Sequence, residues 1–234
     1  MNILSLDTSS ETMSLALKTD SKILSLSFKI GLKHSTTLLP WISRIVKEAG
    51  IEAASLSLIV CSIGPGSFTG LRIGLSTAKG IVMGSEKSSI VGISTPDSLA
   101  YRFNFFRGVT SPVINARKNR FYTAFYRSGE RITDYLDVST EDFFKLYKEN
   151  VLKDTNGKES LLLTGPDAGS LFNYAEQNLP SLSVFLDRGF RFAAPYSLLK
   201  AGVERFNRNG GDDPAGIVPL YIRKSEAEIK MFGE

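Results

Sequence analysis

Two short segments of the chain carry glycines, hydroxyls and an acid in an order that suits phosphate binding. The loop Gly64–Gly70 follows an apolar run and precedes a helical pattern, where backbone N–H groups and the helix dipole bind anions. The turn Asp7–Ser9 could contact oxygens through its hydroxyls while its acid holds a metal-bound water. The candidate phosphate-binding residues are therefore Asp7, Thr8, Ser9, Gly64, Gly66 and Ser67.

Neither segment carries a complete nucleotide-binding signature. Thr69 stands where a Rossmann loop has its third glycine, and no lysine follows Gly70 as a P-loop requires. A tight strand-to-helix turn with Ser67 or Thr69 as N-cap explains the loop equally well, and a plain Asx turn explains Asp7–Ser9. The spacing alone leaves both interpretations open.

The chain has one histidine, His34, and one cysteine, Cys61. A pair of histidine ligands and an internal disulfide are therefore excluded, and catalysis by a Ser-His-Asp or Cys-His set would depend on this one imidazole. His34 begins a helical pattern with Leu38 one turn later, which predicts a capping or packing residue. Cys61 lies in an apolar run, which predicts a buried thiol.

Hydrophobic periodicity predicts the elements that position these residues in the first half of the chain. The predicted strands are Ile3–Asp7, Met13–Leu17, Ile23–Phe28, Leu58–Cys61 and Ile90–Ile93. The predicted helices are His34–Ala49, Leu71–Val82 and a helix from Thr95 to about Phe106.

The second half repeats this order. Three strand-like runs between Pro112 and Val138 precede a helix near Thr140, an apolar strand at Leu161–Leu163 and a helix over Ala168–Gln177. The pairs Gly64-Pro65 and Gly165-Pro166 occupy the same place in the two halves. The sequence therefore predicts an α/β fold of two duplicated β-β-β-α-β-α domains, residues 1–107 and 108–234. The tail from Asp212 is expected to fold back on the first domain or to fray.

Composition excludes several classes of protein. The chain is 42% hydrophobic and 22% charged, which is typical of a globular protein rather than a disordered or fibrous one. No apolar stretch approaches the roughly 18 residues of a membrane helix, and the first residues lack a basic leader. We expect a cytoplasmic protein with no membrane contact. The whole net charge of +4 lies in the first 107 residues.

The segment Arg117–Arg127 mixes basic and aromatic residues. This pairing suits nucleic-acid backbones and stacked bases. Its period-two alternation is equally typical of one face of a strand. Direct RNA binding there is an alternative, in a half of the chain that carries no net charge.

Taken in order, five motifs resemble the bacterial TsaB (YeaZ) family of tRNA threonylcarbamoyladenosine biosynthesis proteins. They are Asp7-Thr8-Ser9, the run Gly64-Pro65-Gly66-Ser67-Phe68-Thr69-Gly70-Leu71-Arg72-Ile73-Gly74, Ser94-Thr95, Asn115-Ala116-Arg117 and Pro219-Leu220-Tyr221-Ile222-Arg223. The resemblance spans nearly the whole chain and is strongest in the first 107 residues. Asn115 departs from it, because the family usually has Asp at that position.

The resemblance implies two actin-like domains, as in sugar kinases and Hsp70. It implies a non-catalytic paralogue of TsaD, the subunit that transfers a threonylcarbamoyl group to the adenosine next to the anticodon. TsaD and the ATPase TsaE are the implied partners, with a homodimer when the chain is alone and tRNA reached through the complex. The resemblance implies no cofactor bound by this chain alone. Binding of ATP or ADP at the interface between subunits of the complex is an open alternative.

Pairing is implied to use the first two long helices. On these helices the apolar and small residues predict an interface made by Leu38, Ile42, Ile45, Leu71, Leu75, Ala78 and Ile81. TsaD holds its metal through a His-x-x-x-His pair, and this chain has Leu38 at the second position. One enzyme alternative is an ATP-dependent kinase of the same superfamily. The other is a metallopeptidase, against which the single histidine argues.

Overall fold

The structure is a computed structural model that describes residues 1–31, 33–85, 87–155, 159–189 and 195–223. These residues fall into two compact units. The first unit is drawn from Met1–Ser98 and Ala193–Leu220, and the second from Leu99–Phe192 and Tyr221–Glu234. Each unit is built around its own sheet.

In the part of the chain that is described, the first unit contains five strands and its own helices. The strands are β1 (Asn2–Asp7), β2 (Thr12–Lys18), β3 (Ile23–Lys29), β4 (Leu56–Gly64) and β5 (Ser89–Ser94). The helices are α1 (His34–Ala49), α2 (Phe68–Met83), α3 (Thr95–Tyr101), which crosses into the second unit, and α6 (Pro195–Asn209), with a 3₁₀ turn at Ala53–Ser55.

The first sheet has the strand order β3-β2-β1-β4-β5. β1, β2 and β3 pair antiparallel, whereas β1 pairs parallel with β4 and β4 parallel with β5. α1 and α2 cover one face with a shared core, and α6 covers the other. Burial on both faces explains why β4 is an almost continuous apolar run, while the edge strand β3 alternates between half-buried and exposed residues.

Among the described residues, the second unit contains eight strands and two long helices. The strands are β6 (Val109–Pro112), β7 (Ile114–Arg117), β8 (Arg120–Thr123), β9 (Tyr126–Arg127), β10 (Glu130–Arg131), β11 (Leu136–Ser139), β12 (Leu161–Thr164) and β13 (Val184–Leu186). The helices are α4 (Thr140–Asn150) and α5 (Ala168–Asn178), with a 3₁₀ turn at Leu152–Thr155.

The main sheet of the second unit repeats the topology of the first. Its order is β10-β9-β6-β12-β13, again with two antiparallel pairings followed by two parallel ones. The segments 109–117, 120–127 and 130–139 each contribute a second strand to a small sheet of order β11-β8-β7. The duplicated α/β fold predicted from the sequence is therefore confirmed.

The two Gly-Pro pairs mark equivalent points in this duplication. Gly64 ends β4 and Gly165 follows β12, the strands in corresponding places of the two sheets. Their φ angles are +103° and +97°, in a region that side chains rarely adopt. The same backbone requirement therefore explains why both halves have glycine at this point.

The division of the chain differs from the predicted boundary at residue 107. The first segment of the first unit ends at Ser98, and a later segment, Ala193–Leu220, also belongs to this unit. Ser5 Oγ donates to Pro195 O at 2.8 Å, and a Cβ atom at Gly202 would lie 2.3 Å from Val60 Cγ1. α6 therefore packs directly on the first sheet, which chain order alone cannot reveal.

The segment after α6 returns to the first unit, as predicted for the beginning of the tail. Asp212 forms a bridge with Ile90, and Leu220 N–H donates to Ile63 O at 2.7 Å. The tail beyond Arg223 lies outside the described residues.

Asp212 anchors this segment through charged hydrogen bonds. Its Oδ2 accepts from Arg205 Nη1 at 2.6 Å and from the Gly92 N–H at 2.8 Å. The hydrogen bond from Arg205 holds the pKa of Asp212 below its ordinary value. A carboxyl with a lowered pKa in the folded state stabilises the fold above its unfolded pKa, about 3.9, and loses that contribution as pH falls.

We expect Asp212→Asn to lower the free energy of unfolding by about 2 kcal/mol at pH 7. The difference from the parent chain should shrink as the pH is lowered below about 4, because the parent carboxyl is then protonated first in the unfolded chain and, at lower pH, in the folded chain too. Urea unfolding at both pH values measures it. The exposed Asp134→Asn serves as control, and an equal loss at pH 7 and at low pH would contradict the assigned role.

Most predicted helices are close to the observed ones. α1 has the predicted bounds and ends at Gly50, whose φ of +74° forms the C-cap. α2 begins three residues earlier than predicted, and α3 ends at Tyr101 rather than near Phe106. β13 and α6 were not predicted.

Candidate functional site

The glycine loop and the β1–β2 turn lie against each other in the first unit. Ser67 N–H donates to Ser9 O at 2.6 Å, and Thr8 Oγ1 donates to Gly70 O at 2.7 Å. Thr8 and Ser9 are buried. The polar atoms that a phosphate would contact are therefore already used in hydrogen bonds between the two segments.

Three glycines permit this close approach. A Cβ atom at Gly66 would lie 2.3 Å from Ser9 O. One at Gly70 would lie 2.1 Å from Thr8 O, and one at Gly74 would lie 2.3 Å from Thr8 Oγ1. Because any side chain at these positions would collide with the turn, the glycines allow α2 to seat directly on it.

Ser67 is the N-cap of α2. Its Oγ accepts from the Gly70 N–H at 3.3 Å, while Thr69, the other N-cap candidate, is exposed. The interpretation of the loop as a capped strand-to-helix turn is therefore the one that fits. Gly64, whose Cβ would meet the Leu71 side chain at 2.7 Å, belongs to the same close packing.

Asp7 is buried beneath this contact. Its Oδ1 accepts from the Ser9 N–H at 2.8 Å. Burial raises the pKa of the Asp7 carboxyl, and hydrogen bonds from Ser9 and Ser62 oppose that shift in part. Ser62 in turn bonds Thr95 through their hydroxyl oxygens, 2.9 Å apart. The acid therefore belongs to an internal network of hydroxyls.

Cys61 is buried, as predicted, and His34 is buried too, which fits a packing residue. Burial lowers the pKa of His34, and its Nε2 has no hydrogen-bond partner in the part of the chain that is described. Burial also raises the pKa of the Cys61 thiol, which disfavours the thiolate. These properties fit packing residues better than a nucleophile and its base.

The corresponding turn of the second unit is held by a carboxylate that the sequence analysis missed. Asn115 N–H donates to Asp167 Oδ2 at 2.8 Å, and Asn115 Oδ1 accepts from the Arg117 N–H at 2.6 Å. Arg117, Lys118 and Asn119 all have positive φ. Asn115 thus stabilises a tight left-handed turn, and Asp167 comes from the start of α5, fifty-two residues later. Only the fold brings the two together.

Three of the four aromatic residues in the segment Arg117–Arg127 face the core. Phe121, Phe125 and Tyr126 are buried, and Phe125 contacts Phe143 with ring centroids 5.2 Å apart. These three rings are not available to stack on bases, so the strand interpretation of the alternation fits the structure.

Within the described residues, no three His, Cys, Asp or Glu side chains form a group that could hold a metal ion. In the same part of the chain, no helix is long and apolar enough to cross a membrane.

Comparison with known proteins identifies the family. The family model for TsaD, tRNA N6-adenosine threonylcarbamoyltransferase, matches residues 30–231. The tRNA threonylcarbamoyladenosine biosynthesis protein TsaB of Bacillus subtilis is 30% identical over 99% of this chain and 98% of its own length. The chain belongs to the TsaB family. TsaB of Haemophilus influenzae is 28% identical over 100% of the chain and 98% of its own length.

The solved structure of YeaZ from Pseudomonas aeruginosa has the same fold as this TsaB-family chain. It superposes with a TM-score of 0.77 at 24% identity, covering 94% of this chain and 99% of that one. The expected fold class is therefore supported by comparison as well as by the duplicated topology.

The predicted partner contacts of this TsaB-family chain require a correction. The following residues are buried in the unit's own core: Leu38, Ile42, Ile45, Leu71, Leu75 and Ala78. Ile81 is partly buried and packs against the same core. Periodicity had correctly grouped them on one face of each helix, but that face covers the sheet and cannot touch a partner without unpacking it.

The opposite side of α2 is the exposed one. We call it the outer face of α2, formed by the exposed residues Thr69, Ser76, Gly80 and Met83. Met83 is 80% exposed, and a Cβ atom at Gly80 would meet nothing within 4 Å. On the neighbouring α1, Leu39 is 57% exposed. If a TsaB-family chain docks through these helices, this is the side that another chain can reach.

Proposed function

We propose that this chain is a non-catalytic, activating subunit in tRNA threonylcarbamoyladenosine synthesis. It pairs with a TsaD-type threonylcarbamoyltransferase, and a TsaE-type ATPase joins the pair. The chain reaches tRNA through the complex, and any ATP or ADP is bound at the boundary between subunits. Family membership supports the pathway.

One observation carries the non-catalytic assignment. The two segments that would bind phosphate in an actin-like kinase bind each other, through the Ser67–Ser9 and Thr8–Gly70 hydrogen bonds and the glycine contacts. A phosphate would have to separate α2 from the turn before it could contact these atoms. This argues against the kinase alternative for the isolated chain.

The contact between the glycine loop and the β1–β2 turn also favours docking of a partner. It fixes the first turn of α2 to the β1–β2 turn, through the hydrogen bonds of Gly70 with Thr8 and of Ser67 with Ser9. α2 therefore presents its outer face in a single orientation. A rigid, preorganised face loses less conformational entropy when a partner binds it.

The functional test is reconstitution from purified components. With the TsaD-type enzyme, the TsaE-type ATPase, tRNA and the threonylcarbamoyl adenylate present, we expect omission of this chain to reduce modified adenosine to background. Mass spectrometry of the tRNA nucleosides measures it. Full modification without the chain would refute the proposed role.

Calorimetry of the isolated chain with ATP and Mg²⁺ separates this proposal from the kinase alternative. We expect no tight binding, because the phosphate-binding segments are closed on each other. Tight binding together with ATP hydrolysis by the isolated chain would favour a kinase.

A further inference from the structure

The second unit exposes aromatic rings that its core does not use. Phe105 is 79% exposed, and Phe185 on β13 is 51% exposed. Phe103 lies beside Phe105 with ring centroids 6.4 Å apart, and Phe106 meets Phe185 edge to face at 6.2 Å. We call these four residues the phenylalanine patch.

The patch is held by backbone hydrogen bonds. Phe103 N–H donates to Ala100 O at 2.9 Å, and Phe106 N–H donates to Phe103 O at 2.8 Å. Phe185 lies on β13, which pairs with β12 and is the edge strand of the main sheet among the described residues. The exposed rings are therefore carried by backbone segments that hydrogen bonds hold in place.

Arginines are close in sequence to these rings. The segments 102–107 and 184–189 contain three arginines and one acid, Asp187. Arg102 lies over the Phe103 ring at 4.7 Å and is 3.6 Å from Asp187 Oδ1. Arg107 and Arg188 are exposed. The two segments that carry the patch thus have a net positive charge, although residues 108–234 as a whole carry none.

Exposed aromatic rings beside arginines are the combination with which proteins bind single-stranded nucleic acids, because bases stack on the rings and phosphates meet the cations. We infer that the phenylalanine patch binds an unpaired RNA segment, with bases on Phe105 and Phe185 and phosphates at Arg107 and Arg188. The choice of RNA over DNA rests on the proposed function. The site differs from Arg117–Arg127, where Phe121, Phe125 and Tyr126 are buried.

The test uses the full chain and a fluorescein-labelled, unstructured RNA of about 12 nucleotides, a length suited to one such site. Fluorescence anisotropy should show binding that weakens as salt rises. We expect Phe105→Ala and Phe185→Ala each to weaken binding by about tenfold, the loss of one stacked base. Arg107→Gln should reduce the salt dependence by about one phosphate contact.

Tyr196→Ala is the matched control, because it removes an exposed aromatic ring from the first unit. It should bind the RNA as the parent chain does. Three results would each overturn the inference: no binding by the parent up to about 100 µM, where even non-specific binding is detectable; unchanged binding by Phe105→Ala; or equal affinity for the same RNA as a duplex.

Two further measurements separate this inference from its rivals. If the patch binds a second copy of the chain instead, Phe105→Ala will abolish concentration-dependent association in sedimentation and leave RNA binding unchanged. Pairing of Phe105→Ala with the TsaD-type enzyme is measured in parallel. Failure of pairing by the parent chain would refute the proposed function while leaving the Phe105-dependent binding of RNA standing.

Discussion

Replacing Gly70 with alanine is expected to lower the free energy of unfolding by about 3 kcal/mol. The added methyl group would lie 2.1 Å from Thr8 O, a backbone atom that cannot rotate away. The first turn of α2 would have to lift from the β1–β2 turn, which would also strain the Ser67–Ser9 and Thr8–Gly70 hydrogen bonds. Urea unfolding followed by circular dichroism measures the loss.

Gly80→Ala is the matched control for this prediction. Gly80 lies on the same helix, and its added methyl group meets nothing within 4 Å. Alanine there should stabilise the chain by up to about 1 kcal/mol, the difference in helix propensity. A Gly70→Ala chain as stable as Gly80→Ala would contradict the close contact between α2 and the turn.

A double-mutant cycle identifies the atoms involved. A Cβ atom at Gly74 would lie 2.3 Å from Thr8 Oγ1, so Gly74→Ala should also destabilise the chain. Thr8→Ala removes that oxygen at the expense of its bond to Gly70 O. The double variant should therefore be more stable than the sum of the two single losses predicts. If the losses of the two single variants simply add, the strain in Gly74→Ala does not come from contact with Thr8 Oγ1.

The sequence was a good guide wherever local periodicity determined the structure. α1 runs from His34 to Ala49 as predicted, because its apolar spacing and the glycine after it are local signals. α6 was missed although Leu198, Leu199 and Gly202 follow a helical spacing. Its return to the first sheet depends on a tertiary contact, the fit of Gly202 against Val60.

At the candidate site, too, the sequence could not predict a contact between distant segments. The sequence identified Asp7, Thr8, Ser9, Gly66 and Ser67 as phosphate-binding candidates in two separate segments, and the structure brings those segments together. Spacing could not distinguish glycines that leave room for a phosphate from glycines that leave room for the chain's own turn. That distinction depends on distances of about 2 Å between segments that are far apart in sequence.

The predicted interface failed for a related reason. Hydrophobic periodicity identifies which residues share a face of a helix, and it correctly grouped Leu71, Leu75 and Ala78. It does not say whether the chain's own sheet or a partner covers that face. In this fold the sheet covers it, so a charge at Ala78 would test folding rather than docking.

Gly80→Arg is therefore the substitution that tests docking. The position is exposed, has room for a side chain and lies in the middle of the outer face of α2. We expect the variant to fold as stably as the parent, since arginine is a better helix former than glycine. Its affinity for the TsaD-type enzyme should fall at least a hundredfold, about 3 kcal/mol, because a charged side chain would be buried between the two chains. Calorimetric titration of the two purified proteins measures this affinity.

Gly169→Arg makes the same chemical change on α5 of the second unit, where a side chain also meets nothing within 4 Å. It should pair with the enzyme and support modification like the parent chain. If Gly80→Arg pairs as tightly as Gly169→Arg, the outer face of α2 is not the docking surface. If Gly80→Arg alone loses both pairing and activation, the exposed side of α2 has the role first assigned to its buried side, and the glycine contacts beneath α2 hold that surface in place.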